Sequence, residues 1–358
     1  MNVNRLEWEN YRNLSRGEIF PCETVNVICG ENAQGKTNLL EALWLFTGGR
    51  SFRGARDAEL VARGEERASL RLGFFSQERG QDAEIRITGG HRTALLNGIP
   101  KKSCSELIGV FCAVIFSPEH ISLIGGAPAL RRNFLDAALC QEKPGYAGTL
   151  AGYNRTLYQR NALLKDIPRH SELLDTLDVW DAKLASLGEK VTRMRLAYLD
   201  RLRGPAAEFY SGICAGREEL SLQYVSSAEN LAEALAASRA ADVVNGYTGA
   251  GPHRDDLAVL IDSQSAKSYG SQGQKRSAVL ALKLAEARLL SRSAGENPAV
   301  FLDDVLSELD SGRQDYLLNH LGEYQVFLTC CEPGAARQLR GGRVFRMEHG
   351  EPTQETES

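Results

Sequence analysis

The nine residues GENAQGKTN, starting at Gly30, constrain this chain more than any other stretch. They satisfy G-x-x-x-x-G-K-[ST] from Gly30 to Thr37, with the flanks that such a loop requires. Ahead of it, Val25–Cys29 is a short, mostly apolar run of strand type. Behind it, Leu39, Leu40, Leu43 and Trp44 fall at i, i+1, i+4 and i+5, the apolar face of an amphipathic helix. Gly30 and Gly35 let the backbone turn so that successive N–H groups point at one place, and a helix starting near Lys36 adds its positive end. The spacing therefore predicts a nucleotide-phosphate cradle made of Gly30, Glu31, Asn32, Ala33, Gln34, Gly35, Lys36, Thr37 and Asn38. In it Lys36 reaches the β- and γ-phosphates, and the Thr37 hydroxyl ligates Mg²⁺.

Two later stretches narrow the chemistry. NPAVFLDDVLSELD begins with a proline turn, runs as a buried strand over 300–302 and ends in Asp303 and Asp304. At the end of such a strand Asp303 can hold the Mg²⁺ shell, and Asp304 can orient or deprotonate an attacking water. In YGSQGQKRSAVLALKLAEARLL, Ser271 takes the N-cap position of a helix that reaches Leu290. Ser271, Gly273 and Gln274 place a hydroxyl, a bare backbone and an amide at that helix's positive end, which suits a second anion contact. Because the Gly30 loop already cradles phosphate, this second helix end is expected to act in trans, on nucleotide held by another copy.

Composition excludes other classes. With 42 Lys and Arg against 46 Asp and Glu the net charge is −4, so any nucleic-acid contact needs a local basic patch. Twelve residues at the end, MEHGEPTQETES, carry four glutamates and no Lys or Arg, and residues 348–358 read as an acidic, disordered tail. The longest apolar run, 110–116, is far too short to cross a bilayer, and no secretion signal is visible. Eight cysteines lie scattered without metal spacing and suit reduced thiols, so a cytoplasmic location with no membrane partner is expected.

Between 118 and 242 strand signals thin out and helical spacing takes over, as in Leu130, Phe134, Leu135 and Ala138. From Leu173 to Leu202, Leu174, Leu177, Trp180, Leu184, Leu187 and Val191 recur every three or four residues, interrupted only by Gly188. No heptad array is sustained, so the expected architecture is α/β and discontinuous. Residues 1–117 and 243–347 form a head with a mixed sheet and flanking helices, and 118–242 an inserted compact, mostly helical lobe.

The loop, the S-x-G-Q helix start, the aspartate-ended strand and SELD at 307–310 together resemble the ABC-type ATPase heads. NYRNL at 10–14, FSPEHISLIGGAPALRRNFLD at 116–136, YNRTLYQRNALLK at 153–165 and GPHRDDL at 251–257 tighten the likeness to the RecF family of bacterial recombination-repair proteins. The resemblance covers nearly the whole chain. It implies an ABC-type head that binds ATP with Mg²⁺, dimerises on ATP binding and clamps DNA near gaps or junctions. Slow, DNA-linked ATP hydrolysis would release it. It also implies RecR and RecO as partners, with roles in RecA loading, replication and the SOS response. The alternative from another class is the ATPase subunit of a membrane transporter.

For DNA, residues 128–216 hold 13 Lys and Arg against 10 Asp and Glu, and Arg131, Arg132, Arg155, Arg160 and Lys165 are the candidate phosphate contacts. Arg50, Arg53 and Arg56 form a second basic group. No aromatic platform stands out, which favours duplex or junction over threaded single strand. His253 reads as a turn residue satisfied by Asp255. Three departures from ABC transporter heads concern Asp304, where those have Glu, Ser117–Glu119 in place of a lid glutamine, and the strand QVFLTCCEP, which ends without a switch histidine. Thr329 fits the resembled family there, and Cys330 and Cys331 do not.

Overall fold

Alternation of apolar and polar residues opens the chain. In β1 (Asn2–Tyr11) Val3, Leu6, Trp8 and Tyr11 face inward, the period being reset by a bulge between Val3 and Arg5. The computed structural model describes residues 1–331 and 342–355. They divide into two compact units. The first holds Met1–His120, Gly212–Ala215 and the described part of 279–358; the second holds Ile121–Ser211 and Gly216–Ala278.

In chain order the first unit contributes β1, β2 (Leu14–Ile19), β3 (Val25–Cys29), α1 (Lys36–Leu45), β4 (Arg67–Ser76), β5 (Arg79–Thr88), β6 (His91–Leu96), β7 (Ile99–Lys101) and β8 (Ala113–Phe116). The second is threaded by α2 (Ser122–Gly125), α3 (Pro128–Glu142), α4 (Pro144–Asp166), α5 (Leu177–Ile213), β9 (Leu220–Val225), α6 (Leu231–Asn245), β10 (Asp256–Ile261), β11 (Gln264–Ser265) and α7 (Ala266–Tyr269). Then α8 (Gln272–Ala294) leads back to β12 (Ala299–Asp303), α9 (Ser311–His320), β13 (Val326–Cys330), β14 (Arg343–Glu348) and β15 (Glu351–Glu355).

Two six-stranded sheets build the first unit. One is antiparallel in the order β2-β1-β4-β5-β6-β7. The other, β15-β14-β3-β13-β12-β8, is parallel except for β15. A single core joins residues of both sheets, Leu6, Trp8, Leu70 and Phe74 from one and Ile28, Phe301 and Phe327 from the other, around Leu39, Leu40 and Leu43 of α1. This placement corrects the amphipathic expectation for α1. With core on all sides, Ala42 and Leu45 are as buried as Leu39, and even Glu41 is inside.

Three further expectations change. The second compact unit runs on to Ala278, past the 242 set for the lobe, and beside its helices it carries a small sheet. There β10 pairs antiparallel with β9, a pairing between segments too far apart to read from local periodicity. Gly188 does not interrupt α5: a Cβ there would lie 3.2 Å from Tyr153 and 3.3 Å from Pro252, so glycine serves close packing. Finally, 351–355 is strand β15, laid against β14, where a disordered tail was expected; 356–358 lie outside the described residues.

Candidate nucleotide-binding site

β3, β13 and β12 are adjacent and parallel, with Ile28, Thr329 and Asp303 in register across them. Their carboxyl ends therefore open on one side, the place where open parallel sheets bind ligands. From the end of β3 the chain enters the Gly30 loop. Gly30 has φ +145°, and a Cβ on it would sit 2.5 Å from the Met347 carbonyl; Gly35 has φ +102° and closes on Leu14 and Asn13. Both positions demand glycine. No side chain caps the N-terminus of α1, so its leading N–H groups remain available to an anion.

The side chains of Lys36, Thr37, Asp303 and Thr329 gather at this end of the sheet. Lys36 Nζ donates to the carbonyls of Gly30 (2.5 Å) and Glu31 (2.9 Å). Thr37 Oγ1 donates to Asp303 Oδ1 at 2.8 Å, joining the loop to the end of β12. Thr329 Oγ1 donates to the same carboxylate oxygen at 2.9 Å and accepts the Asp304 N–H at 2.9 Å. Burial pushes the Asp303 carboxyl above its ordinary value, with the Thr37 and Thr329 hydroxyls pulling the other way. A hydroxyl and a buried carboxylate already in contact are the hard oxygen donors that Mg²⁺ takes. Asp304 has φ +51°, a left-handed conformation costly for a residue with a side chain, and its side chain is exposed. Lys36, Thr37, Asp304 and Thr329 line a cavity of about 600 Å³ whose lining belongs entirely to the first unit, and Asp303 adjoins it through its bond to Thr37.

Other members were missed as site residues. Arg12 and Asn13, from the NYRNL stretch, line the cavity, as do Arg53 and Arg63. Arg53 donates to Asn38 Oδ1 (2.9 Å), Asn38 to Asn13 Oδ1 (2.7 Å), and Asn13 to the Ala33 carbonyl (3.0 Å), so this relay braces the loop. Arg53 thus lines the cavity while remaining exposed. Behind it lies Glu41, fully buried, which accepts from Tyr11 Oη (3.0 Å), from Arg12 Nε and Nη2 (both 2.9 Å) and from Ser51 Oγ. A carboxylate at the sixth position of α1, set among leucines and alanine, was the available signal. Gln34 Oε1 accepts the His349 N–H at 2.5 Å.

Other assigned residues sit elsewhere. Ser271, Gly273 and Gln274 belong to the second unit. Ser271 and Gln274 cap each other, Ser271 N to Gln274 Oε1 at 2.7 Å and Gln274 N to Ser271 Oγ at 3.2 Å, and the Gln274 amide donates to Glu218 (2.9 Å). Two of the DNA candidates are buried. Arg160, 0% exposed, is paired with Asp181 (2.6 Å) and Asp242 (2.8 Å); Arg131 is bidentate to Asp256 (2.7 and 2.9 Å). Neither can meet a phosphate backbone. Arg132 is half-buried and donates to the Asp255 carbonyl (2.8 Å), while Arg155 and Lys165 are exposed. His253 is satisfied, but by Tyr153 Oη (2.6 Å) and the Thr248 carbonyl (3.1 Å) and not by Asp255, which accepts from Tyr224 Oη (2.6 Å) and Ser227 N (2.7 Å). Loop 251–257 is therefore a packing hub. At the end of β13 Cys330 is buried and Cys331 lies 3.4 Å from Asn32 Oδ1, leaving Thr329 as the side chain that reaches the acids; 332 and 333 lie outside the described residues.

Residues 2–351 match the family described as RecF/RecN/SMC N terminal domain. A DNA replication and repair protein RecF of Agathobacter rectalis is 40% identical over 357 residues, 98% of each chain, and one of Syntrophotalea carbinolica is 38% identical over 361 residues, again 98% of each. The solved structure of the recombination mediator protein RecF-ATPrS in the RecFOR pathway superposes with a TM-score of 0.93 at 37% identity, covering 99% of this chain and 98% of that one. The Smc head domain from Pyrococcus furiosus shares the fold alone, at TM-score 0.59 and 15% identity over 100% of this chain and 96% of that one.

Proposed function

The chain belongs to the RecF/RecN/SMC family, and from that premise we propose that it is an ATP-switched DNA-binding protein of replication and recombinational repair. The observation that carries this reading is the contact of Thr37 with Asp303, which unites a phosphate loop and an acid-ended strand in one cavity. ATP is the nucleotide, as in the solved RecF–ATP and RecF-ATPrS relatives. Residues 30–38 would hold its phosphates with their N–H groups, and Lys36 would supply its ammonium to the β- and γ-oxygens. Thr37 and Asp303 would hold Mg²⁺, which neutralises phosphate charge when bound. Asp304, held in its strained turn by Thr329, orients and deprotonates the attacking water. Its carboxylate is shorter than a glutamate's, which suits slow hydrolysis and a switch.

All residues lining the cavity belong to the first unit, whereas Ser271, Gly273 and Gln274 belong to the second. In this reading that helix start completes the cavity of a second copy, so ATP joins two heads and hydrolysis parts them. The closed dimer holds DNA near gaps or junctions without sequence preference, and works with RecO and RecR, the proteins implied by the RecFOR pathway of the solved relatives. Among the described residues no helix is long and apolar enough to cross a membrane. The transporter alternative is not carried forward, because relatives 40% and 35% identical over 98% of the chain are replication and repair proteins.

Light-scattering mass with and without ATP and Mg²⁺, repeated with gapped duplex, tests the proposal. The expected result is a monomer that dimerises with ATP and then retains DNA. Lys36→Met abolishes the dimer and Asp304→Asn preserves it. A protein that stays monomeric with ATP, or dimerises without gaining affinity for DNA, overturns the clamp.

A further inference from the structure

Glu218 belongs to no sequence motif, yet it holds the start of α8. It stands half-buried in the connection from α5 to β9, 56 residues before Gln274 in the chain. The backbone beside it is pinned, because Glu219 N donates to Asp262 Oδ1 (2.8 Å) and Asp262 N donates back to the Glu219 carbonyl (2.9 Å). The carboxylate is pinned as well. Tyr210 of α5, itself buried, donates its hydroxyl to Glu218 Oε2 at 2.7 Å, and Glu218 Oε1 accepts from the Gln274 amide at 2.9 Å. Tyr210, Glu218 and Gln274 all belong to the second unit.

An ionised carboxylate only accepts, so it selects which end of the Gln274 amide faces it. With Nε2 turned to Glu218, Oε1 is turned to Ser271, where it takes the backbone N–H at 2.7 Å. Ser271 Oγ in turn accepts the Gln274 N–H at 3.2 Å, which leaves the hydroxyl proton to be donated outward. Ser271 and Gln272 are exposed. The N–H groups of Gln272 and Gly273, in the first turn of α8, have no acceptor within the helix. One hydroxyl and two backbone N–H groups at a helix start make a donor set suited to a terminal phosphate. Reversing the amide would set its NH₂ against the Ser271 N–H, donor against donor, and would turn its oxygen to the Glu218 carboxylate. The reciprocal cap would then open.

We propose that Glu218 is a positioning residue for the contact in trans: by fixing the Gln274 amide it holds the Ser271 hydroxyl and the first-turn N–H groups toward the terminal phosphate of ATP bound by a second copy. The proposal rests on the reading of an ATP-joined dimer, and it assigns part of the strength of that joint to a residue that acts only through Gln274.

Light-scattering mass over a concentration series in ATP and Mg²⁺, on the full chain, gives the dimer dissociation constant. Losing one hydrogen bond to a charged group is worth roughly tenfold, and a symmetric dimer has two such contacts, so Glu218→Ala should weaken dimerisation about a hundredfold. Glu218→Gln keeps an acceptor for the Gln274 amide and should dimerise like wild type. Tyr210→Phe removes one donor from the carboxylate; it should weaken the dimer by a smaller factor, and it carries the test if Glu218→Ala does not fold. In a Gln274→Ala background, Glu218→Ala should have no further effect. ADP affinity by calorimetry reads the cavity of the first unit and should be unchanged in the Glu218 and Tyr210 variants. The proposal is overturned if Glu218→Ala and Tyr210→Phe dimerise like wild type, if Glu218→Gln is as weak as Glu218→Ala, if Glu218→Ala weakens the Gln274→Ala chain further, or if ADP affinity falls along with the dimer. In each of these cases a wild type that dimerises with ATP leaves the dimer reading standing; a wild type that stays monomeric with ATP removes both.

Discussion

Arg12 lines the nucleotide cavity only because Glu41 holds it there, and the strength of that hold can be worked out. Glu41 is fully buried, the Arg12 side chain is 20% exposed, and two N–H···O bonds of 2.9 Å join them. Hydrogen bonds to charged groups contribute about 1.5–3 kcal/mol each, and removing one partner of a buried pair costs about 3–5 kcal/mol because the other charge is left behind. Glu41→Gln keeps the shape but gives one Arg12 N–H an amide instead of an acceptor; Arg12→Met leaves the carboxylate with Tyr11 and Ser51 alone. Each single change should cost about 3 kcal/mol, and the double change about the same, a coupling of about 3 kcal/mol. Urea unfolding followed by Trp8 and Trp44, both in this unit's core, reads the cycle in a Trp180→Phe background. Burial alone would raise the Glu41 carboxyl, but hydrogen bonds from Arg12 and Ser51 more than offset this and hold it below the ordinary glutamate range. A lowered folded pKa gives stability that is complete above the unfolded value, about 4.3, and is lost as pH falls through the folded one. The advantage of wild type over Glu41→Gln should therefore shrink below about pH 4.3 and never grow there. Effects that add within about 0.5 kcal/mol, or a pH trend of opposite sign, would refute the reasoning.

Three further outcomes separate structural from functional charge. Arg160→Met should lower the stability of the second unit by about 3–5 kcal/mol, because Asp242 loses its cation inside and Asp181 is left with Arg239 alone, whereas Lys165→Gln should stay within about 0.5 kcal/mol in the same thermal melt. Arg53→Met should weaken ATP binding, by titration calorimetry, roughly tenfold and leave the DNA affinity of the nucleotide-free chain unchanged, since Arg53 sits in the cavity. His120 accepts the Ser117 N–H on Nδ1 (3.1 Å), and burial, aided by Lys283, holds it down to about 3. The unfolded chain then takes up a proton that the folded chain refuses, so stability falls as pH drops from about 6.5 toward 3. His120→Asn, which keeps an acceptor, should flatten this limb of an acid melt.

The phosphate loop was legible because its requirements are local. Glycine at 30 and 35, lysine at 36 and a hydroxyl at 37 act through backbone turns and reach that a nine-residue window contains, and Val25–Cys29 and Ala299–Asp303 fell where apolar runs placed them. The adjacency of Thr37 and Asp303 was legible too, though 266 residues part them, since both motifs end buried strands. What stayed hidden depends on convergence. Nothing near Arg160 in the chain reveals that Asp181 and Asp242 will close on it, and nothing near Arg53 that it turns into the cavity.

Formal charge is thus a poor guide to where DNA lies, and the reason is energetic. A basic residue reaches a phosphate only if no internal carboxylate claims it first, and a buried pair, once made, does not open for an exposed ligand because an unpaired charge inside is too costly. Arg131 and Arg160 are claimed in this way, by acids 125 residues away or by acids 21 and 82 residues away. Arg155 and Lys165 are not, and both are exposed. The residues that a sequence marks as basic and the residues that remain cationic to a ligand are different sets. On α4 the second set is smaller, Arg155 and Lys165 alone beyond the helix start.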